Sequence, residues 1–279
     1  MARLLNNATH GNYKVSVITV SYNCSNTIAK TMASVLSQNY YNIEYIIVDS
    51  CSTDNTHQII QGIMDDRVRL VIEDDEGIYD AMNKGFALAT GDIIYYLNSG
   101  DCLFDETILE KICSIFWSET DIDVVYGDTV SYSYNGKVLI KMKRDTPFHV
   151  ITRGIICHQA IFAKKSSFLS AVPFNINYKI YADYDWLLDG LCNNNYRLRY
   201  LNVPVVYFQA GGFSQQGIGK YSIERVRIIN KFFLKAFNLH ILFMYPKECG
   251  YFIIVYFYLV FYHIIYIISP GKGKNTKCE

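Results

Sequence analysis

The residues best suited to chemistry are carboxylates that follow apolar runs. Asp49 closes the segment EYIIVD, and Asp54 comes soon after it in IIVDSCSTD. A carboxylate at the end of a buried strand can accept a hydrogen bond from a base N–H or a ribose hydroxyl, as acidic residues do in other nucleotide folds. Asp54 reads more simply, as an acid favoured by a helix N-terminus. Farther along, LNSGD offers Asn98 and Asp101 as oxygen donors around a flexible glycine. One or two carboxylates together with substrate phosphates are the usual setting for Mg2+ or Mn2+. Such an ion offsets the charge developing on a departing diphosphate. Taken alone, N-S-G-D is also an ordinary turn. Asp183 and Asp185, in ADYDWLL, stand two apart at a helix start and cannot share one helical face. One of them can serve as general base toward an acceptor hydroxyl. A pair of acids that merely complements the helix dipole is the simpler alternative.

These positions need a scaffold, and the sequence supplies one. The β-branched run VSVITV, residues 15–20, reads as a strand buried on both faces, as in a parallel sheet. Ser25 and Asn26 are cap-type residues ahead of TIAKTMASVLSQ, in which Ile28, Met32, Val35 and Leu36 recur at helical spacing. The alternation repeats: EYIIVD as strand, a helix opening at Ser52 or Thr53, RVRLVIE as strand, GIYDAMNKGFALA as helix, and GDIIYYLNS as strand. Four strands and three helices in this order imply right-handed crossovers and a doubly wound sheet, whose ligands bind at the carboxyl ends of the strands. Those ends carry Tyr22 and Asn23, Asp49, Glu73 to Asp75, and Asn98 to Asp101. FDETILEKICSIFW then reads as a helix. In VVYGDTVSYSYNGKVLIKMK, Asn135 and Gly136 supply a hairpin turn, so antiparallel strands join the parallel sheet. A loop-rich stretch through Cys157, His158 and Gln159, a helix at ADYDWLLDGL and a strand at RLRYLNVPVVYF complete the body. Beyond the Gly211–Gly212 pair, a basic amphipathic helix is expected over about 223–237.

Composition narrows the function classes. The 279 residues, 51% hydrophobic, are enough to bury a full core. Lys plus Arg and Asp plus Glu both total 26, so no global field draws the chain to nucleic acid. The eight cysteines include no C-x-x-C pair and no zinc-finger spacing with histidine, which favours free thiols in a reducing compartment. The first residues, MARLLNNATHGNYK, lack the apolar stretch of a signal peptide, so the body is expected in the cytoplasm. G-x-G-x-x-G, G-x-x-x-x-G-K-[ST] and G-x-S-x-G are all absent, which argues against a dinucleotide oxidoreductase, a P-loop NTPase and a nucleophile-elbow hydrolase. What survives is nucleotide binding without a glycine-rich phosphate loop.

Many of the aromatic residues crowd into the last third. YFIIVYFYLVFYHIIYII, residues 251–268, would be about 27 Å long as a helix. That length permits a bilayer span, but lysines on both flanks give no orientation signal. Its many tyrosines favour a helix lying in the membrane interface; a span and a buried helix are the alternatives.

VSVITVSYN, IIVDSCSTDNT, DEGIYDAMNKGFALATGDIIYYLNSGD and ADYDWLL, in this order, resemble family 2 glycosyltransferases of the GT-A fold. The closest likeness is to bacterial enzymes that build O-antigen, capsule or colanic-acid repeat units, and it covers roughly residues 14–214. With this resemblance the chain is expected to comprise a tail over 1–13 and a GT-A domain over 14–222, with a donor half at 14–105 and an acceptor half at 106–222; the basic helix and aromatic run make 223–279 a membrane-associating helical region. The resemblance implies that Tyr22 and Asp49 lie beside the donor base, usually uracil, with Asp80 and Asn98 also on the donor side. Ala81, Asn83 and Gly85 would shape the donor pocket. LNSGD would take the place of the family's metal-binding D-x-D, with Asp101 holding Mn2+ or Mg2+. ADYD would match E-D-Y-D and make Asp183 the catalytic base, while His158, Gln159 and Asp185 would face the acceptor.

The chain departs from the family pattern where Ser50 follows Asp49, where Asn98 and Gly100 replace acids, and where Ala182 replaces a glutamate. The Q-x-x-R-W signature of processive synthases is missing; GGFSQQGIGKYS offers Gln215 and Gln216 without an Arg-Trp pair. The resemblance therefore implies an inverting enzyme that adds one sugar per encounter, at the cytoplasmic face of the inner membrane, from a UDP-sugar to a polyprenyl-diphosphate-linked saccharide. An inactive nucleotide-sugar-binding scaffold, and a transferase acting on polyprenyl phosphate itself, are the competing readings.

Overall fold

The computed structural model describes residues 12–63, 65–133, 136–143, 146–153, 156–170, 172–211 and 222–236. The aromatic segment 251–268 and the Gln215–Gln216 pair, on which the membrane and processivity expectations rest, lie outside them.

The chain opens with β1 (Val15–Ser21), α1 (Ile28–Leu36), β2 (Ile43–Asp49), α2 (Thr56–Gly62), β3 (Val68–Ile72), α3 (Ile78–Leu88) and β4 (Ile93–Tyr96). It continues through β5 (Cys102–Leu103), α4 (Ile108–Ser118), β6 (Val124–Ser133), β7 (Gly136–Ile140), α5 (Pro147–Arg153) and β8 (Ile161–Lys164). The last described elements are α6 (Ala182–Asn193), β9 (Leu198–Gln209) and α7 (Ser222–Ala236). A 3-10 turn at His158–Ala160 precedes β8.

All the strands form one sheet in the order β3-β2-β1-β4-β8-β6-β9-β5, with β7 added alongside β6. β1 pairs in parallel with both β2 and β4, and β2 with β3. β8 runs antiparallel to β4 and β6, so the sheet is mixed. Every residue of β1 is buried, which accounts for its unbroken apolar and small-residue run.

Successive side chains of β1 enter opposite cores, as the two-residue strand period requires. Val15 and Val17 join Tyr45, Ile47 and the apolar faces of α1, α2 and α4. Ile18 and Val20 join Ile46, Val48 and the α3 side chains Tyr79, Met82 and Phe86. A third cluster packs Tyr126 and Ala163 against α5, α6 and α7 through Tyr184, Leu187, Leu188, Ile228 and Phe232. Helix α6 bridges the last two clusters, since Ala182 belongs to one and Tyr184 to the other. It is therefore fixed on both sides at the residues flanking Asp183.

Because β2 and β4 flank β1 on opposite sides, the chain reverses its winding direction at the β1–β4 boundary. A crevice opens outside the carboxyl ends of strands at such a switch point. The LNSGD turn follows β4 at this place.

Two expectations need correction. Helix α2 begins at Thr56 rather than at Ser52 or Thr53, because the intervening polar groups bond elsewhere. The Ser52 N–H and Oγ both donate to Asp49, and Asp54 accepts from the Ser25 and Thr56 N–H groups. The stretch before His158 is also more regular than its composition suggests: α5 forms there and buries Phe148, Val150 and Ile151.

Candidate active site

The LNSGD turn bends at Gly100, whose φ of +101° suits glycine; an added Cβ would stand 2.7 Å from Gln209 Oε1. Bending there brings Asp101 inward until it is only 4% exposed. Its Oδ1 accepts the Gln209 N–H at 2.9 Å, and its Oδ2 accepts Gln159 Nε2 at 2.8 Å. Burial raises the Asp101 pKa to about 6, against the lowering effects of the Gln209 N–H, His158 and Gln159. A desolvated carboxylate of this kind favours a neighbouring cation.

Asn98, at the start of the turn, donates through Nδ2 to His158 Nε2 at 3.1 Å. Its Oδ1 is buried and has no partner among the described residues. His158 Nδ1 lies 3.1 Å from Asp183 Oδ2. Asp183, 8% exposed in the first turn of α6, accepts at Oδ1 from Tyr79 Oη at 2.9 Å and from the Tyr184 N–H at 3.0 Å. The single Tyr79 hydrogen is shared between Asp183 Oδ1 and the Ile180 carbonyl, both of which lie within reach of Oη. Burial, reinforced by the charge of Asp183, holds the Tyr79 phenol well above its ordinary pKa, so it stays protonated and can donate.

Asp101 and Asp183, 82 residues apart in sequence, are thus gripped by the consecutive residues Gln159 and His158. This turn is itself anchored, since the buried Tyr95 Oη donates to the Gln159 carbonyl at 2.9 Å. The Cys157 thiol donates to Gln159 Oε1 at 2.7 Å, which commits the amide nitrogen to Asp101. Burial pushes that thiol far up, so Cys157 is a structural donor and not a nucleophile.

The remaining site positions divide. Tyr22 lies just beyond the end of β1 and is 63% exposed. Asp80 sits in the first turn of α3, where it accepts the Glu76 N–H and pairs with Lys84 at 3.3 Å. Three further residues are engaged by other parts of the chain.

Asp49 is fully buried, and its carboxylate accepts from Ser21 Oγ, the Ser52 N–H and Oγ, and His57 Nε2. Burial works to raise its pKa, but these hydrogen bonds outweigh it and lower the value. The carboxylate holds the loop after β2 together through these bonds. Asn83 is also buried and doubly engaged: its Nδ2 donates to the Phe174 carbonyl and its Oδ1 accepts the Phe174 N–H. It clamps the segment before α6 onto α3 rather than lining a donor pocket. Asp185 pairs with Lys231 of α7 at 3.0 Å, on a different face of α6 from Asp183. The two-residue spacing separates their roles in this way.

Sequence reading missed Tyr79, although it lies inside the quoted GIYDAMNKG. It also missed Glu224, a buried acid in the first turn of α7 that accepts the Lys179 and Ile180 N–H groups. Its partners precede it by more than forty residues, and no local pattern signals them.

Among the described residues, no three His, Cys, Asp or Glu side chains gather as metal ligands. Asp101 and the unpartnered Asn98 Oδ1 form a smaller oxygen set on one turn. That set fits a hard cation taking its other ligands from a diphosphate.

Comparison with known proteins places the chain in a family. The family described as Glycosyl transferase family 2 matches residues 16–177, more than half of the chain. A PGL/p-HBAD biosynthesis glycosyltransferase of Mycobacterium bovis is 29% identical over 215 residues, spanning 76% of this chain and 83% of that protein. Two solved structures share the fold. Staphylococcus aureus TarS 1-349 in complex with UDP-GlcNAc aligns at a TM-score of 0.62 with 16% identity, covering 86% of this chain and 80% of that one. The mannosyltransferase PcManGT of Pyrobaculum calidifontis, in complex with GDP-Man and Mn2+, aligns at 0.64 with 15% identity, covering 93% and 76%. With its mixed GT-A sheet and its extensive family match, the chain belongs to glycosyl transferase family 2.

Proposed function

We propose that this glycosyltransferase is inverting and non-processive, and that it moves a hexose or N-acetylhexosamine from a UDP-sugar to a lipid-linked saccharide in surface-polysaccharide synthesis. The observation that carries the proposal is the joint placement of Asp101 and Asp183 by the Gln159–His158 turn. One carboxylate stands at the crevice where a nucleotide's phosphates belong, and the other is held ready to take a proton.

In the proposed step, the acceptor O–H bond breaks and its proton passes to Asp183. The freed oxygen electron pair forms a bond to the anomeric carbon. The bond from that carbon to the phosphate oxygen breaks, and its electrons leave with the nucleoside diphosphate. Attack opposite the leaving group inverts the carbon, so an α-linked UDP-sugar gives a β-linkage. A bound Mn2+ or Mg2+ would supply positive charge to the departing diphosphate, with Asp101 and Asn98 as the residues to hold it. Tyr22 is exposed where an aromatic ring can stack on the base. The absence of an Arg-Trp pair after GGFSQQ supports single addition.

The UDP donor is supported by the TarS likeness, whereas the GDP-Man complex of PcManGT shows that this fold also serves another nucleotide. The lipid-linked acceptor, and a location at the cytoplasmic face of the inner membrane, are supported by the aromatic run at 251–268. Among the described residues, no helix is long and apolar enough to cross a membrane. The test is UDP release by the purified full chain, given a panel of UDP-hexoses, Mn2+, and either a polyprenyl-diphosphate saccharide or polyprenyl phosphate. Acceptor-dependent release with the saccharide supports the proposal. Release only with polyprenyl phosphate moves the reaction to the lipid itself, and none with any donor leaves the inactive scaffold.

A further inference from the structure

Asn98, His158 and Asp183 form one hydrogen-bonded row, with each ring nitrogen of His158 facing a different partner. An ionised Asp183 can only accept, so His158 Nδ1, at 3.1 Å from Oδ2, has to carry the hydrogen. With that hydrogen on Nδ1, Nε2 can accept, and the Asn98 amide nitrogen stands 3.1 Å from it. That orientation leaves Asn98 Oδ1 buried and without a partner among the described residues, the cost of using the other end of the amide to set the tautomer. The position of the ring is set by the turn that carries it. Its turn is pinned by Tyr95 through the Gln159 carbonyl, while Gln159 itself is committed to Asp101 and Cys157.

We propose that His158 is a positioning residue, which acts through Asp183 as an Nδ1–H donor and links the Asn98–Asp101 turn to the proposed base. Its hydrogen bond selects the carboxylate rotamer that leaves a lone pair for the acceptor hydroxyl, and Asn98 keeps the ring in the donating tautomer. The turn that receives the diphosphate and the carboxylate that receives the proton are therefore one hydrogen-bonded unit. This rests on Asp183 being the base.

Two substitutions separate this role from direct contact with the acceptor. The amide of His158→Asn can place a donor near the site of Nδ1, whereas that of His158→Gln reaches the site of Nε2 and loses the bond to Asp183. With the full chain, His158→Gln should lower kcat about 10- to 100-fold at an unchanged acceptor KM, and His158→Asn should recover most of that loss. Equal rises in acceptor KM in both variants would overturn the inference, and so would a His158→Gln enzyme with normal kcat. A measurement independent of turnover uses 15N NMR of the wild-type imidazoles, with His158 assigned by the signal missing from His158→Asn. Protonation at Nδ1 supports the inference and protonation at Nε2 defeats it. Asp183→Asn distinguishes the two levels: normal turnover in that variant removes the base itself. Its inactivity alongside an unaffected His158→Gln removes only the role given to His158.

Discussion

Replacing Asp183 by Asn tests the chemistry while leaving the packing nearly intact. The introduced amide is the same size, and its oxygen can keep the bonds from Tyr79 Oη and the Tyr184 N–H. Its nitrogen replaces Oδ2 and meets His158 Nδ1. The ring can accommodate this by moving its hydrogen to Nε2, and Asn98 by turning its amide so that the unpartnered Oδ1 accepts. The number of hydrogen bonds is preserved, so the stability cost should stay near 1 kcal/mol. The chemical cost is larger. A positioned general base contributes about 10²- to 10⁴-fold, equivalent to about 3–5 kcal/mol on the barrier. Turnover is followed as acceptor-dependent UDP release, and UDP affinity by calorimetry. The expected outcome is a kcat reduced by at least about a hundredfold, with the UDP dissociation constant changed by less than about threefold. Retention of more than about a tenth of kcat would refute the assignment of the base. Loss of UDP binding would show that Asp183 serves the donor.

Three further outcomes follow from other parts of the molecule. Asn83→Ala strands the buried Phe174 N–H and carbonyl and should cost about 2–3 kcal/mol, seen as a Tm lower by about 4–10 °C, with donor KM little changed; the opposite pattern would return Asn83 to the donor pocket. Glu44 provides a pH test: burial raises its pKa, but bonds from Lys14, Ser16 and Thr90 prevail and bring it down to about 2 from 4.5. Its contribution, about 2–3 kcal/mol, is complete above the unfolded value and fades as pH falls toward the folded one. Denaturant titrations of Glu44→Gln should thus show a deficit at pH 7 that largely closes near pH 2.5, and a deficit independent of pH would contradict this. Finally, deleting the residues after Pro246 should move the protein from the membrane fraction to the soluble one; an unchanged distribution would count against the membrane assignment.

The parts of the fold that could be read in the sequence are those fixed by local periodicity. The runs of β1, β2 and β4 announce a doubly buried sheet, and the spacing of Asp183 and Asp185 announces their divergence. The hidden parts depend on partners distant in the chain. Nothing near Asp49 reveals that Ser21 and His57 will bond its carboxylate, and nothing near Asn83 reveals Phe174, 91 residues away. Lys231 likewise claims Asp185 from α7. At α2, the serine, threonine and aspartate that resemble helix caps are spent on loop bonds, which delays the helix to Thr56. The His158–Gln159 turn was placed by resemblance on the acceptor side, but its grip on both carboxylates emerges only when β4, β8 and α6 are assembled.

The most direct test of the account is a crystal structure of the full chain with UDP-sugar and Mn2+. The account predicts that the diphosphate lies against the Asn98–Asp101 turn, and that the anomeric carbon stands between that turn and the Asp183 carboxylate. A diphosphate bound away from this turn, or a sugar with its anomeric carbon facing away from Asp183, would contradict it.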